Sequence, residues 1–173
     1  MKVVAFGASN SKDSINKKLA TYAGSLIENA DLEVLDLNDF EMPIYSEQRE
    51  QSEGIPQKAK DFSRKFQDAD LVIASFAEHN GNFTAAFKNI LDWSSRDQRE
   101  VFQNTPMLVL SSSPGPNGAS SVLEIAKNSL GFFGAEVKAG FSLPNFYEHY
   151  SDSGFDFKDP NLLNELKSLV KDI

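Results

Sequence analysis

Short apolar runs of strand length alternate with segments of helical period along the whole chain, and that alternation leaves few folds open. Strand-like runs fall at Lys2 to Ala8, Glu33 to Leu37, Leu71 to Phe76, Met107 to Ser111 and Glu136 to Ala139. Several are uniformly apolar, as strands covered on both faces of a parallel sheet must be. Between them, helical spacing is carried by Ile15, Leu19, Tyr22, Leu26 and Ile27; by Ala59, Phe62 and Phe66; by Phe83, Phe87, Ile90 and Leu91; and by Val122, Ile125, Ala126, Leu130 and Phe133. Gly134 follows the fourth pattern where a left-handed residue often closes a helix. Asp159-Pro160 announces a last helix bearing Leu162, Leu163, Leu166, Leu169 and Val170 on one face. Five strands alternating with five helices predict an α/β, flavodoxin-like doubly wound parallel sheet of order 2-1-3-4-5, with helices on both faces. The glutamate- and glutamine-rich stretch from Ser46 to Gly54 reads as a solvated loop.

Composition bounds what such a sheet is for. With 173 residues the chain suits a single domain, residues 1–173, able to bury about 70% of the surface its unfolded form exposes. A net charge of −8 with no block of lysine or arginine argues against nucleic acid or an anionic membrane as partner. There is no cysteine, so thiolate, disulfide and iron–sulfur chemistry are excluded and any redox role needs a borrowed cofactor. The histidines, His79 and His149, form no ligand-spaced cluster, which speaks against a transition-metal site. Met1-Lys2-Val3 runs straight into a strand and no long apolar segment offers a signal or span, so a cytoplasmic protein is expected.

In an open α/β sheet the ligand lies beyond the carboxyl ends of the strands, near the reversal of strand order. Here that means the loops after strands one, three and four: Ser9 to Asn16, Ala77 to Asn82 and Ser111 to Ala119. All are built from Gly, Asn, Ser and Pro, which tolerate unusual backbone angles and expose N–H groups. The first is either a phosphate cradle at a helix start or an ordinary turn in which Ser14 caps the helix. Gly115 and Gly118 by themselves read equally as turn glycines. Together the loops suit a planar polar cofactor held by main-chain hydrogen bonds. A hydrolase using Ser9 or Ser14 with His79 lacks a G-x-S-x-G elbow, and a phospho-receiver domain lacks aspartates at the end of strand one.

The segments GASNSKDSIN, DLNDFEMPIYSE at Asp36 to Glu47, AEHNGNFTAAFKNILDWSSR at Ala77 to Arg96 and SSSPGPNGA at Ser111 to Ala119 resemble, in order and spacing, the NADPH-dependent FMN reductase family. Its members include azoreductases, quinone reductases and chromate-reducing flavoproteins. The resemblance implies FMN as cofactor and NAD(P)H as co-substrate, with a quinone, azo compound or free flavin as small-molecule electron acceptor. It implies that Ser9, Ser11, Ser14, Ile15 and Asn16 hold the FMN phosphate, that Ala77, Glu78, His79, Asn80 and Gly81 border the ring and ribityl chain, and that Ser113, Gly115 and Gly118 approach the ring's other polar edge. No residue is implied as catalytic, since the flavin carries the chemistry. The family usually has a basic residue where Ser11 stands, a Pro-Glu-Tyr-Asn where Ala77-Glu78-His79-Asn80 stands, and a double glycine where Asn117-Gly118 stands. A flavodoxin-like FMN electron carrier is the alternative on the same fold.

The family commonly pairs as homodimers or homotetramers through the helix holding Trp93, which leaves Trp93 to be core or interface, with interface favoured. Phe40, Met42, Pro43, Ile44 and Tyr45 read as a lid, a dimer contact or satellite core, and Asp92 with Arg96 as a surface ion pair. Pro144 to Phe157 is too aromatic for an idle linker and is expected to cover the pocket or seal the sheet, with His149 in a packing or surface role.

Overall fold

The computed structural model describes residues 1–173, and its five-stranded parallel sheet has the order expected. Strand β1 (Lys2–Ala8) lies between β2 (Asp31–Leu35) and β3 (Leu71–Phe76), followed by β4 (Thr105–Ser112) and β5 (Ala135–Leu143). Alternation of side chains divides the core. Val4, Phe6, Val72, Phe76 and Val109 face α3 (Gln57–Arg64), α4 (Ala85–Asp97) and α5 (Ser120–Ser129). Val3, Ala5, Ile73 and Leu110 face α1 (Ile15–Ser25) and α7 (Pro160–Lys171). Each fully buried aromatic side chain, such as Phe6 against Phe62, Phe66 and Phe87, contributes about 1.5–3 kcal/mol by leaving water. Ala8 pairs with Phe76 and Phe76 with Ser111, so three loops leave the sheet from one rung.

Several boundaries differ from the sequence reading. The second strand ends at Leu35 because the Asp36 carboxylate accepts from Asn38 N at 2.9 Å and turns Leu37–Phe40 into a 3-10 helix. The fourth and fifth strands are longer at both ends than expected, since Thr105↔Ala135 and Ser112↔Leu143 still pair although these residues are partly polar. Ser46 to Gly54 is not a loop: Ser46 caps α2 (Glu47–Glu53), Gly54 closes it with φ 77°, and none of its residues is buried. Phe66 lies beyond the end of α3, Phe83 in a hairpin before α4, and Phe133 in a 3-10 turn, so each packs from outside the helix its spacing suggested. Gly134 does adopt the left-handed conformation, φ 76°.

Trp93 is fully buried, its Nε1 donating to Pro43 O at 2.7 Å and its ring edge-on to Tyr45, which corrects the interface reading to a core one. Phe40 and Met42 are buried beside it whereas Ile44 is 68% exposed, so that run is split between core and surface. Asp92 and Arg96 do not pair with each other: Asp92 takes Lys88 at 2.6 Å and Arg96 takes Glu50 of α2 at 3.0 Å. The segment after β5 forms one helical turn, α6 (Phe146–His149), and a small hairpin, Tyr150–Ser151 against Gly154–Phe155. His149 is buried and its Nδ1 accepts from Lys158 N, in the packing role expected.

Asp36 also ties β2 to α1. Lys17 Nζ lies 2.6 Å from its Oδ2, and that ammonium, followed by the Asn38 N–H, holds the carboxyl below the usual carboxylate range. A depressed folded value means the stabilisation is full above the unfolded value of about 3.9 and is lost as pH falls through the folded one. Urea midpoints of the wild type are therefore expected to fall further between pH 6 and pH 3 than those of Asp36→Asn. Equal losses would show that the pair contributes nothing.

Candidate functional site

The loop after β1 closes on itself before entering α1. Ser9 N donates to Gly7 O at 2.8 Å, Ser11 N to the Ser9 hydroxyl at 3.1 Å, and Ser14 Oγ accepts Lys17 N at 3.1 Å as the helix cap. The cap leaves the Ser14 O–H free to donate. The Ile15 and Asn16 N–H groups stand in the first turn of α1, where no carbonyl of the helix reaches them, and add the positive end of the helix dipole. Gly7 is what lets α1 come this close: a Cβ there would lie 2.3 Å from Lys17 N.

The Asn16 side chain is occupied in the framework. It is 1% exposed; Nδ2 donates to Ser112 O at 3.1 Å, and Oδ1 accepts from Ser75 Oγ at 2.7 Å and Ser112 N at 3.0 Å. One amide thus clamps the start of α1 to the ends of β3 and β4. Asn16 therefore offers a ligand its backbone N–H rather than its side chain.

After β3, Glu78–His79 and Asn82–Phe83 form a hairpin whose turn residues Asn80 and Gly81 have φ of 52° and 75°, the pairing a two-residue turn requires. The Glu78 carboxylate accepts Val122 N at 3.0 Å. It thereby caps α5, whose own cap position, Ala119 with φ 59°, has no side-chain acceptor. Thr84 Oγ1 donates to Ala8 O at 3.0 Å while capping α4, which fixes this loop to the end of β1.

After β4, Gly115 O accepts Asn145 N and Ser113 O accepts Phe146 N, joining the loop to α6. Gly118 O accepts from both Ser111 Oγ and Ser142 Oγ, and a Cβ on Gly118 would meet Ser142 Oγ at 2.2 Å. Its φ of 58° and this crowding make it a structural glycine beneath the loop.

These loops enclose a cleft of ≈ 250 Å³ at the carboxyl ends of β1, β3 and β4. Ser9, Ser11, Ser14, Ile15 and Asn16 line one side, Ala77, Glu78 and His79 another, and Ser113 a third. Asn80, Gly81, Gly115 and Gly118 are not on its wall: the first two form the exposed hairpin tip and the last two support the loop from behind. The sequence reading missed Asp13, Ser112, Pro114 and Tyr147, which also line it. Tyr147 was signalled only by the aromatic richness of its segment; it stands 63% exposed at the rim, edge-on to buried Phe146. Both carboxylates of the cleft are engaged, Glu78 with Val122 N and Asp13 with Lys18 Nζ at 2.5 Å. The hydrogen bond that Lys18 Nζ donates to Asp13 raises the Lys18 ammonium above its ordinary value, so it stays charged.

Hydroxyls, free amides and a helix end suit the phosphate of a bound mononucleotide, and the backbone-rich loops suit the edge of a planar heterocycle. The cleft lies just below the roughly 300–1,000 Å³ usual for a whole small-molecule site. On the other side of Asn10 a separate pocket of ≈ 200 Å³ is floored by Leu37, Phe40, Met42 and Ile90.

Residues 1–148 match the family described as NADPH-dependent FMN reductase. An uncharacterised protein of Mycoplasma pneumoniae is 30% identical over 154 residues, 86% of this chain and 87% of its own length. A quinone reductase of Escherichia coli is 28% identical over 138 residues, 79% of this chain and 73% of its own. Among solved structures, the flavoenzyme NAD(P)H:(acceptor) oxidoreductase FerB of Paracoccus denitrificans superposes with a TM-score of 0.75 at 25% identity, covering 99% of this chain and 93% of its own.

Proposed function

The chain belongs to the NADPH-dependent FMN reductase family, and on that premise we propose that it oxidises NAD(P)H through FMN held in the cleft and reduces a quinone, an azo compound or free flavin. The observation that carries this is the meeting of the Ser9, Ser11 and Ser14 hydroxyls with the Ile15 and Asn16 amides at one end of the cleft. Bound there, FMN supplies the hydride-accepting and hydride-donating chemistry that the side chains lack.

The residues of the chain have the remaining tasks. Ser14 donates to the phosphate while capping α1, and the helix end offsets the phosphate charge where relatives use a basic side chain at the position of Ser11. Ala77, His79 and Ser113 border the heterocycle, and Asn16, Thr84 and Glu78 keep the three loops in register behind it. Positioning of this kind turns an encounter of two substrates into a unimolecular step. The apolar pocket beyond Asn10 favours a quinone among the acceptors. All of residues 1–173 serve this one flavin domain in our reading. We take the enzyme as a homodimer or homotetramer, supported by Ile44 and Phe132, each 68% exposed.

Purified protein incubated with FMN and passed through gel filtration is expected to stay yellow and to oxidise NAD(P)H when a quinone is added. A colourless protein would overturn the reading, and a yellow one that leaves NAD(P)H untouched would favour the electron carrier. Ser14→Ala is expected to weaken FMN binding about tenfold or more, as loss of a hydrogen bond to a charged group does. Unchanged affinity, measured by flavin fluorescence, would remove Ser14 from the phosphate site.

A further inference from the structure

The apolar pocket of ≈ 200 Å³ beyond Asn10 is built in a way that selects what enters it. Its floor is Leu37, Phe40, Met42 and Ile90, all buried. The space above that floor has two causes. Ala85 and Ala86, at the start of α4, are too small to fill it. The chain from Met42 to Tyr45 is also tied in place by Asn89, whose Nδ2 donates to Met42 O at 3.1 Å and Pro43 O at 3.2 Å and whose Oδ1 accepts Tyr45 N at 2.9 Å. Trp93 adds its own bond to Pro43 O. The hollow is thus preformed, and a ligand enters it without ordering any further chain.

Polar groups on its wall are few and mostly occupied. The Asn89 amide is taken up by the bonds just given, and Asn38 Nδ2 donates to Asp36 Oδ1 at 2.8 Å. Water is poorly held in such a place, since it needs two to four polar partners. A cavity of about 150 Å³ lined by apolar side chains takes up benzene, so this pocket accommodates about eight carbon atoms. Two residues at its edge orient what binds. Exposed Asn10 has its amide free to donate, and its neighbours Ser9 and Ser11 line the cleft, so a molecule bonded to Asn10 lies at the border of pocket and cleft. Glu41 is the single charged side chain on the wall, exposed and without a cationic partner, and it disfavours an anion.

We propose that this pocket seats the hydrocarbon substituent of the electron acceptor, so that the enzyme selects neutral quinones carrying an alkyl or prenyl chain of up to about eight carbons over anionic acceptors. The quinone carbonyl accepts from Asn10 at the border, and the chain lies on Phe40 and Met42. The proposal rests on the reductase reading given above. The overall change is quinone + NAD(P)H + H⁺ to hydroquinone + NAD(P)⁺. The pocket contributes binding that is equal before and during that change, so it lowers KM and leaves kcat as it is.

The test is a series of 2-alkyl-1,4-benzoquinones from methyl to decyl, which find no cysteine in this chain to alkylate. Binding is read without NAD(P)H from the quenching of Trp93, the single tryptophan, whose partner Pro43 stands between the pocket residues Met42 and Ile44. Affinity is expected to rise about threefold per carbon as far as the octyl compound and then to level off. In steady-state NAD(P)H oxidation KM is expected to fall in step, with kcat constant. A carboxylate ending the butyl chain would be buried on the apolar floor and is expected to weaken binding at least about tenfold. Ala85→Phe, at an exposed position of α4, fills the pocket and is expected to flatten the series, leaving the octyl quinone bound no more tightly than the methyl one. A flat series in the wild type, with quinones still reduced, overturns the pocket and leaves the reductase reading standing. A rise that persists in Ala85→Phe, or a butyl carboxylate bound as well as butyl, places the chain elsewhere and also overturns it. Failure of every quinone to elicit NAD(P)H oxidation overturns the function proposed above, and the pocket's role as acceptor site with it.

Discussion

Gly7→Ala is expected to lower the protein's stability by more than about 3 kcal/mol, at or beyond the usual cost of an overpacked core. The added methyl group would sit 2.3 Å from Lys17 N, 2.7 Å from Lys17 Cα and 2.8 Å from the Asn16 carbonyl carbon. Every one of these is a backbone atom, so no side chain can swing aside. Relief requires α1 to move away from β1, where Leu19, Ala20 and Ala23 are fully buried against Val3 and Ala5. The loss is large against a total of about 5–15 kcal/mol for a folded domain. Urea unfolding followed by the fluorescence of buried Trp93 measures it, and a midpoint equivalent to within about 1 kcal/mol of wild type would refute the close-approach argument. Because the same shift displaces the Ile15 and Asn16 amides, flavin binding is expected to fail in whatever fraction remains folded.

The second large effect belongs to Asn16→Leu. The substitution is close in size but leaves Ser75 Oγ, Ser112 N and Ser112 O without partners in the interior. Each unsatisfied buried group costs about 1–3 kcal/mol, so a loss of about 3–5 kcal/mol is expected after partial relaxation. Asn16→Asp separates shape from donor chemistry. It keeps an acceptor for Ser75 and Ser112 N but loses the donor to Ser112 O and places a carboxylate in the interior, so its loss is expected to grow as pH rises through its titration. If the leucine variant unfolds within about 1 kcal/mol of wild type, the three-way clamp is not what holds the loops together.

Both residues bear on how much of this molecule was legible in its sequence. The caps at Ser14 and Asp159 follow from patterns within a single element, the order of the sheet and its two-faced core from the alternation of strands with helices, and they appear as read. Boundaries fared worse where a polar side chain overrode an apolar run. Asp36 ends β2 two residues early, and the capped but unburied α2 has no periodic apolar face to announce it. Trp93 shows a different limit, because its burial depends on Pro43 and Tyr45, which a helix pattern does not contain.

The candidate site divides along the same line. Three Gly-, Asn- and Ser-rich loops at the ends of strands one, three and four were visible in the sequence, and so was the helix start at Ser14, because turn chemistry and capping act over a few residues. Which loop residues face a ligand and which brace the loops was decided by contacts across the fold. Asn16 meets Ser75 and Ser112 at separations of 59 and 96 residues, and Glu78 meets Val122 at 44. Gly118 is held by Ser142, and Tyr147 reaches the cleft only because Asn145 and Phe146 bond back to the loop after β4. The sequence by itself determined the alternation of strands and helices, from which the sheet order follows, and the positions of its binding loops, since periodicity and turn propensity are local. Only the tertiary structure decided which polar groups remain free for a ligand, because a buried donor or acceptor takes whatever partner the folded chain brings within reach.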